Sequence, residues 1–191
     1  MKNLKDLIEE LCPNGVPYMS IGDFCDVATG KGITKKDASI EGIYPIISGG
    51  KEPMGFYDKT NRPANTVTIS RVGANAGFVS FIEQDFYLND KCFSVIPQKG
   101  QVEIDEKYLY YVLKNIENAI TDMQSEGGVP TINTTKVKSI RIPVPPIEIQ
   151  REIIHILDNF TLLISELSAE LIDRQKQYEY YRDKLIAFKE L

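Results

Sequence analysis

An α+β fold is predicted: a mostly β domain with flanking helices over residues 1–146, followed by a long coiled-coil helix over residues 147–191. Three observations predict it. Short β-rich runs separated by Gly, Asn and Pro fill the stretch from Val16 to about Pro97, two segments with helical spacing flank that stretch, and a proline break precedes an apolar seam that continues to Phe188. A hydrophobic content of 42% is enough for a packed core.

The first segment, "NLKDLIEELCPNG", places Leu4, Leu7, Ile8 and Leu11 at i, i+3, i+4 and i+7, with Asn3 as N-cap and Pro13-Asn14-Gly15 as the stop. "YPIIS", "TVTIS", "FVSFI" and "KCFSVIP" follow as strands, and "SRVGANAGFVSF" reads as strand, glycine-bearing turn, strand. Helical spacing returns over Asp105–Ile120, through Leu109, Val112, Leu113, Ile116 and Ile120. "SEGGVPTINTTKVKSIRIPV" is a polar glycine loop leading to one more short strand. Pro143, Pro145 and Pro146 then form a stiff extended connector, because proline lacks a backbone donor and pushes its predecessor out of the helical region.

Beyond the connector no Pro or Gly remains. Seam positions alternate at spacings of four and three: Ile153, Leu157, Phe160, Ile164, Leu167, Leu171, Arg174, Tyr178, Tyr181, Leu185 and Phe188. All but Arg174 are apolar, the pattern of a coiled coil over five heptads. No chain is left to cover such a seam, so the segment is expected to associate with another molecule. The expected interface comprises Ile153, Leu157, Phe160, Ile164, Leu167, Leu171, Tyr178, Tyr181 and Leu185.

Most chemistry is excluded. There is no G-x-x-x-x-G-K-[ST] loop and no G-x-G-x-x-G after a strand, and "PVPP" lacks the Asn or Asp and the aromatic of an "NPPY"-type methyltransferase motif. The single His155 lies off the seam, and Asp85, Asp90 and Lys91 in "QDFYLNDKC" fall short of a metal site, which needs ligands converging from more than one segment. No catalytic residue, metal or cofactor is expected. Cys12, Cys25 and Cys92 are odd in number and never form a C-x-x-C pair, so buried reduced thiols are expected. The charged start and the lack of an 18-residue apolar run predict a soluble, cytoplasmic protein. A net charge of −5 argues against gripping nucleic acid by bulk charge alone, so any contact with DNA must be local.

What remains is a binding surface. "SGGKEPMG", "SRVGANAG", "LNDKCF" and "SEGGVPTINTTK" each mix glycines with Lys, Arg, Asn, Ser or Thr. Arg and Lys read guanine edges, Asn reads adenine, and Ser and Thr tether phosphates. The candidate DNA-binding residues are Lys51, Arg71, Asn75, Lys91, Gly127, Gly128, Thr131 and Lys136. Arg71 is expected either to read a base or to pair with a carboxylate such as Asp85.

In order along the chain, "LIEELCPNGVPYMSIGDFC", "YPIISGGKEPMGFYD", "TISRVGANAGFVSF", "LNDKCFSVIP", "IPVPPIEIQREIIHILD" and "YEYYRDKLIAFKE" resemble the specificity subunits of type I restriction-modification systems. The resemblance implies a target recognition domain followed by a long helix, with no catalysis of its own. It implies double-stranded DNA and modification methyltransferase subunits as partners. Those subunits methylate adenine with S-adenosylmethionine, and ATP-driven restriction subunits can join them. The usual subunit has two recognition domains and two helices and reads a bipartite site. This chain holds one of each, so a half-subunit is expected, acting as a homodimer through the C-terminal helix or joined to a different half. Two rivals are an interaction or antirestriction decoy without DNA reading, and a fragment of a fused restriction–methylation enzyme. No membrane partner is expected.

Overall fold

The computed structural model describes residues 3–39, 41–100, 102–125 and 128–188. It divides into two compact units, Met1–Arg151 and Glu152–Leu191.

The first unit opens with α1 (Leu4–Leu11), whose N-cap Asn3 accepts a hydrogen bond from the Asp6 N–H at 2.9 Å. β1 (Tyr18–Ser20) leads into the single-turn α2 (Ile21–Phe24) and β2 (Cys25–Thr29). Six strands follow: β3 (Tyr44–Ile47), β4 (Phe56–Tyr57), β5 (Thr66–Ser70), β6 (Val79–Ile82), β7 (Tyr87–Leu88) and β8 (Cys92–Pro97). The four-stranded sheet runs β2-β8-β5-β6 and is antiparallel throughout, with Thr29 opposite Phe93 and Ser70 opposite Cys92. The three-stranded sheet runs β4-β3-β7, with β3 and β7 parallel and Ile47 opposite Leu88. These registers set the ends of β2, β5, β3 and β7 and the start of β8 along one rim.

β5 shows no alternation: all five residues of "TVTIS" are buried. Its apolar side chains, Val67 and Ile69, lie in the core with Phe93 and Val95. Its polar ones are satisfied inside the protein. The Thr66 hydroxyl donates to the Pro63 carbonyl, and Thr68 shares a 2.8 Å bond with Ser80. Buried hydroxyls cost little when partnered in this way.

The predicted helix over Asp105–Ile120 breaks in two, α3 (Glu106–Asn115) and α4 (Glu117–Thr121), at Ile116. Tertiary contacts account for the break. Glu117 accepts the Val79 N–H at 2.8 Å and the Lys114 ammonium at 2.6 Å, which ties the junction to the sheet edge. α3 packs on β5 and β6 through Leu109 and Leu113, both fully buried, and each such burial stabilises by about 1.5–3 kcal/mol.

The predicted glycine loop contains a helical turn, α5 (Thr134–Lys138), capped by the Asn133 side chain on the Lys136 N–H. β9 (Arg141–Pro143) then pairs antiparallel with β1, which joins the end of the domain to its beginning. α6 (Ile147–Ile186) follows directly from the prolines. Gln150, in its first turn, is fully buried: it accepts the Asp105 N–H at 2.9 Å and donates to the carbonyls of Glu103 at 3.0 Å and Pro145 at 2.8 Å. In the second unit, α6 exposes an apolar seam. Phe160, Ile164, Leu167, Leu171, Tyr178, Tyr181 and Leu185 are each at least half exposed, while Ile153 and Leu157 are partly buried. Arg174 on the same seam pairs with Glu170 at 3.4 Å. Among the described residues, no helix is long and apolar enough to cross a membrane.

Candidate nucleic-acid interface

The four glycine-bearing loops singled out in the sequence meet on the rim. Val72 forms an antiparallel bridge with Thr131, the Gly73 N–H donates to the Pro130 carbonyl, and the Ile132 N–H donates to the Arg71 carbonyl. The Arg71 N–H donates to the Lys91 carbonyl at 2.9 Å. Gly49 fits beneath Val72 because it has no side chain: a Cβ there would sit 2.6 Å from the Val72 carbonyl oxygen. The Asn75 amide reaches the Gly49 carbonyl at 3.4 Å. Segments some 60 residues apart in sequence thus share one backbone network.

Several candidate residues stand together on this rim. The backbone of Arg71 is held on both sides, and its Nη1 donates to the Asp90 carbonyl at 3.2 Å. Asp85 accepts the Ala64 N–H instead, so the expected Arg71–Asp85 pair does not form. Lys91 and Lys51 are exposed, and the Lys51 ammonium lies 5.7 Å from the centre of the Phe78 ring. Gly128 has φ +85°, a backbone setting that favours glycine. The Thr131 hydroxyl donates to the Val129 carbonyl, and Val129 itself is 63% exposed.

One candidate stands apart. Lys136, on α5, donates its partly buried ammonium to the Met123 carbonyl at 2.7 Å, a bond that holds α5 to the end of α4. Gly127 lies outside the described residues.

The rim also contains residues that the sequence reading passed over. The segment Gly30–Asp37 lies against Leu88 and Asn89 and adds Lys31, Lys35 and Lys36, all exposed. The signal was present: "KGITKK" is a basic run with no acid. With these three, six cationic side chains (Lys31, Lys35, Lys36, Lys51, Arg71 and Lys91) stand against the carboxylates of Asp37, Glu52 and Asp90. A local positive surface therefore exists on an acidic chain.

Other chemistry is thinly represented. Among the described residues, no group of three His, Cys, Asp or Glu side chains is arranged to hold a metal ion. His155 is exposed, with its Nε2 3.2 Å from the Asn159 amide. The three cysteines are buried thiols, and burial pushes Cys25 and Cys92 up to about 12, too high for nucleophilic use at neutral pH.

Comparison with known proteins identifies the family. The model of the type I restriction modification DNA specificity domain matches residues 13–174. The putative type I specificity subunit S.MpnORF507P of Mycoplasma pneumoniae is 33% identical over 170 residues, 87% of this chain and 46% of that protein. The specificity subunit of the type I restriction enzyme EcoR124I/EcoR124II of Escherichia coli is 31% identical over 159 residues, 76% of this chain and 38% of that one. In structure, the S subunit of a type I restriction-modification system from M. genitalium superimposes with a TM-score of 0.71 at 24% identity, over 89% of this chain and 46% of that chain. At that identity the likeness establishes the fold alone. The chain spans about half the length of the curated relatives it matches.

Proposed function

This chain belongs to the type I restriction-modification DNA specificity family, and from that premise we propose that its rim reads one half of a bipartite site in double-stranded DNA and directs an adenine methyltransferase to it. The chain contributes recognition and no catalysis. The methyl donor and the transfer belong to the modification subunits, and a restriction subunit can be recruited to the same assembly in the cytoplasm. The observation that carries the reading is the convergence of loops bearing Lys51, Arg71, Asn75 and Lys91 on one backbone network. Guanidinium, ammonium and amide groups on a rigid support are the equipment of base readout.

α6 is the association element in this reading. Its uncovered apolar seam pairs antiparallel with that of a second copy, because two-fold pairing is the commonest route to association between identical chains. A two-fold pair matches a palindromic bipartite site, and the paired helices set the distance between half-sites.

Methylome sequencing of cells that express this chain with a methyltransferase subunit tests the proposal. Adenine methylation is expected at a palindromic site with an unspecified spacer, and it should disappear when the chain is omitted. A methylation pattern indifferent to the presence of this chain would reject the reading.

A further inference from the structure

Asn89 is 1% exposed, yet it sits in a surface loop. Its side chain uses both ends: Nδ2 donates to the Ile33 carbonyl at 2.9 Å, and Oδ1 accepts the Lys91 N–H at 3.0 Å. Its own N–H donates to the Ile47 carbonyl at 2.8 Å. One buried residue thus joins the segment after β2 and the loop before β8 through its side chain, and the end of β3 through its backbone. Neither Asp, which lacks a donor, nor Ser, which lacks the reach, would serve all of these bonds.

The segment that Asn89 holds is short of other supports. Its backbone is anchored by the Lys31 N–H on the Leu88 carbonyl at 3.0 Å, beside Gly30, where a Cβ would fall 1.8 Å from the same oxygen. Farther along, the Thr34 N–H and hydroxyl both donate to Asp37 Oδ2, at 2.9 and 2.7 Å. Those bonds hold the Asp37 carboxyl below the usual carboxylate range and order a turn that carries Lys35 and Lys36. Three exposed ammonium groups therefore sit on a segment held to the domain by the Lys31 N–H and by Asn89, and ordered within itself by the Thr34–Asp37 turn. Ammonium groups on long flexible stems, carried off the backbone network that fixes the reading loops, act on phosphates as point charges.

We propose that Gly30–Asp37 is a phosphate-contacting arm, that Lys31, Lys35 and Lys36 supply affinity without sequence information, and that Asn89 is the positioning residue that latches the arm to the base-reading rim. The inference rests on the reading of the rim as a DNA surface. It divides the work between the arm, which grips any duplex, and Lys51, Arg71, Asn75 and Lys91, which choose the sequence. The arm also explains how a chain with a net charge of −5 can approach a polyanion: the cations are concentrated where the duplex lies.

The test uses the full chain in complex with its methyltransferase subunit and two duplexes of equal length, one carrying the methylated site and one scrambled. Affinity is measured between 50 and 200 mM salt. Replacing Lys31, Lys35 and Lys36 together by Gln should lower the salt slope by roughly 2–3, so that wild type loses about 40-fold more affinity than the variant across that range. Both duplexes should weaken alike, and the methylated sequence should not change. Asn89→Ala removes no charge but should lower the slope in the same direction, measured well below its melting temperature. If Asn89→Ala does not fold, Asn89→Ser, which keeps a polar side chain but lacks the reach to the Ile33 carbonyl, is read in the same way. An unchanged slope in the triple variant overturns the arm. A normal slope in Asn89→Ala, or in Asn89→Ser in its place, overturns the latch. A wild-type complex that binds neither duplex removes the underlying DNA reading, and the inference with it.

Discussion

Arg71 is held by backbone on three counts: its N–H, its carbonyl, and a guanidinium bond to the Asp90 carbonyl. A carbonyl orients the guanidinium without neutralising it, so the planar fork keeps its charge and its capacity for bidentate donation. Arg71→Ala should cost about 1–3 kcal/mol of discrimination and relax the methylated sequence at one position. Methylome sequencing reads the relaxation, and a melting curve run beside it should stay close to wild type; a large drop in melting temperature would make Arg71 a structural residue instead. Lys136 is held in the same way: its ammonium donates to the Met123 carbonyl at 2.7 Å, which fixes where that charge sits. Burial also has a pH signature. Cys25, Cys92 and Tyr108 are each pushed up to about 12 by burial, so the folded state keeps their protons after the unfolded chain has lost them. Above the ordinary thiol value of about 8.5 the unfolded state binds fewer protons, and stability must fall as pH rises. These three groups should therefore leave urea stability unchanged through neutral pH and lower it progressively between about 8.5 and 12.

At the scale of elements, the junction before α6 depends on one side chain. Prolines supply the break, and the Pro146 carbonyl accepts the Gln150 N–H as the first bond of the helix and also the Ile149 N–H, which a helix start leaves without an i−4 partner. The buried amide of Gln150 then satisfies Asp105, Glu103 and Pro145 together. Gln150→Leu keeps the volume and removes all of those bonds, leaving a donor and two acceptors without their partner. It should cost about 3 kcal/mol, measured by urea unfolding of the domain's tertiary signal. Helices with a clean apolar period were legible: α1 and its Asn3 cap, α3 through Leu109 and Leu113, and α6 through its seam. α5 was not. A single turn of "TTKVK" has no period to detect, and its cap, Asn133, sits among polar residues that read equally as loop. The strands were legible as apolar runs, but β5 hid its polar side in the core, where Thr68 and Ser80 satisfy each other across the sheet.

For the whole molecule, the proposed antiparallel pair makes α6 a ruler. Its 40 residues extend about 60 Å, longer than one DNA turn of about 34 Å. Arg174, held by Glu170 within its own helix, interrupts the seam and would set the register of the pair. Inserting one heptad inside the overlap keeps the seam in phase and adds about 10.5 Å. The unspecified spacer should then grow by roughly 3 base pairs at about 3.4 Å per step, with unchanged half-sites. A four-residue insertion rotates the seam out of phase and should weaken assembly instead. Methylome sequencing checks the spacer, and sedimentation checks the assembly. An unchanged spacer with full activity in the heptad variant means that α6 does not set the distance.

The sequence by itself determined the α+β class, the proline-led start of the long helix, its apolar seam and the residue types from which a binding rim could be built. Each is a property of neighbouring residues: a period of 3.6 or 3.5, a run of β-branched side chains, a proline without a donor. Only the tertiary structure decided which loops meet. Val72 bridges Thr131, Asn89 reaches Ile33, and Gly49 lies beneath Val72, contacts made across 59, 56 and 23 residues of chain. No local pattern encodes such distances, because they follow from strand register in two sheets at once. Register therefore placed Lys31, Lys35 and Lys36 on the rim, and the fold bonded the Lys136 ammonium to the Met123 carbonyl.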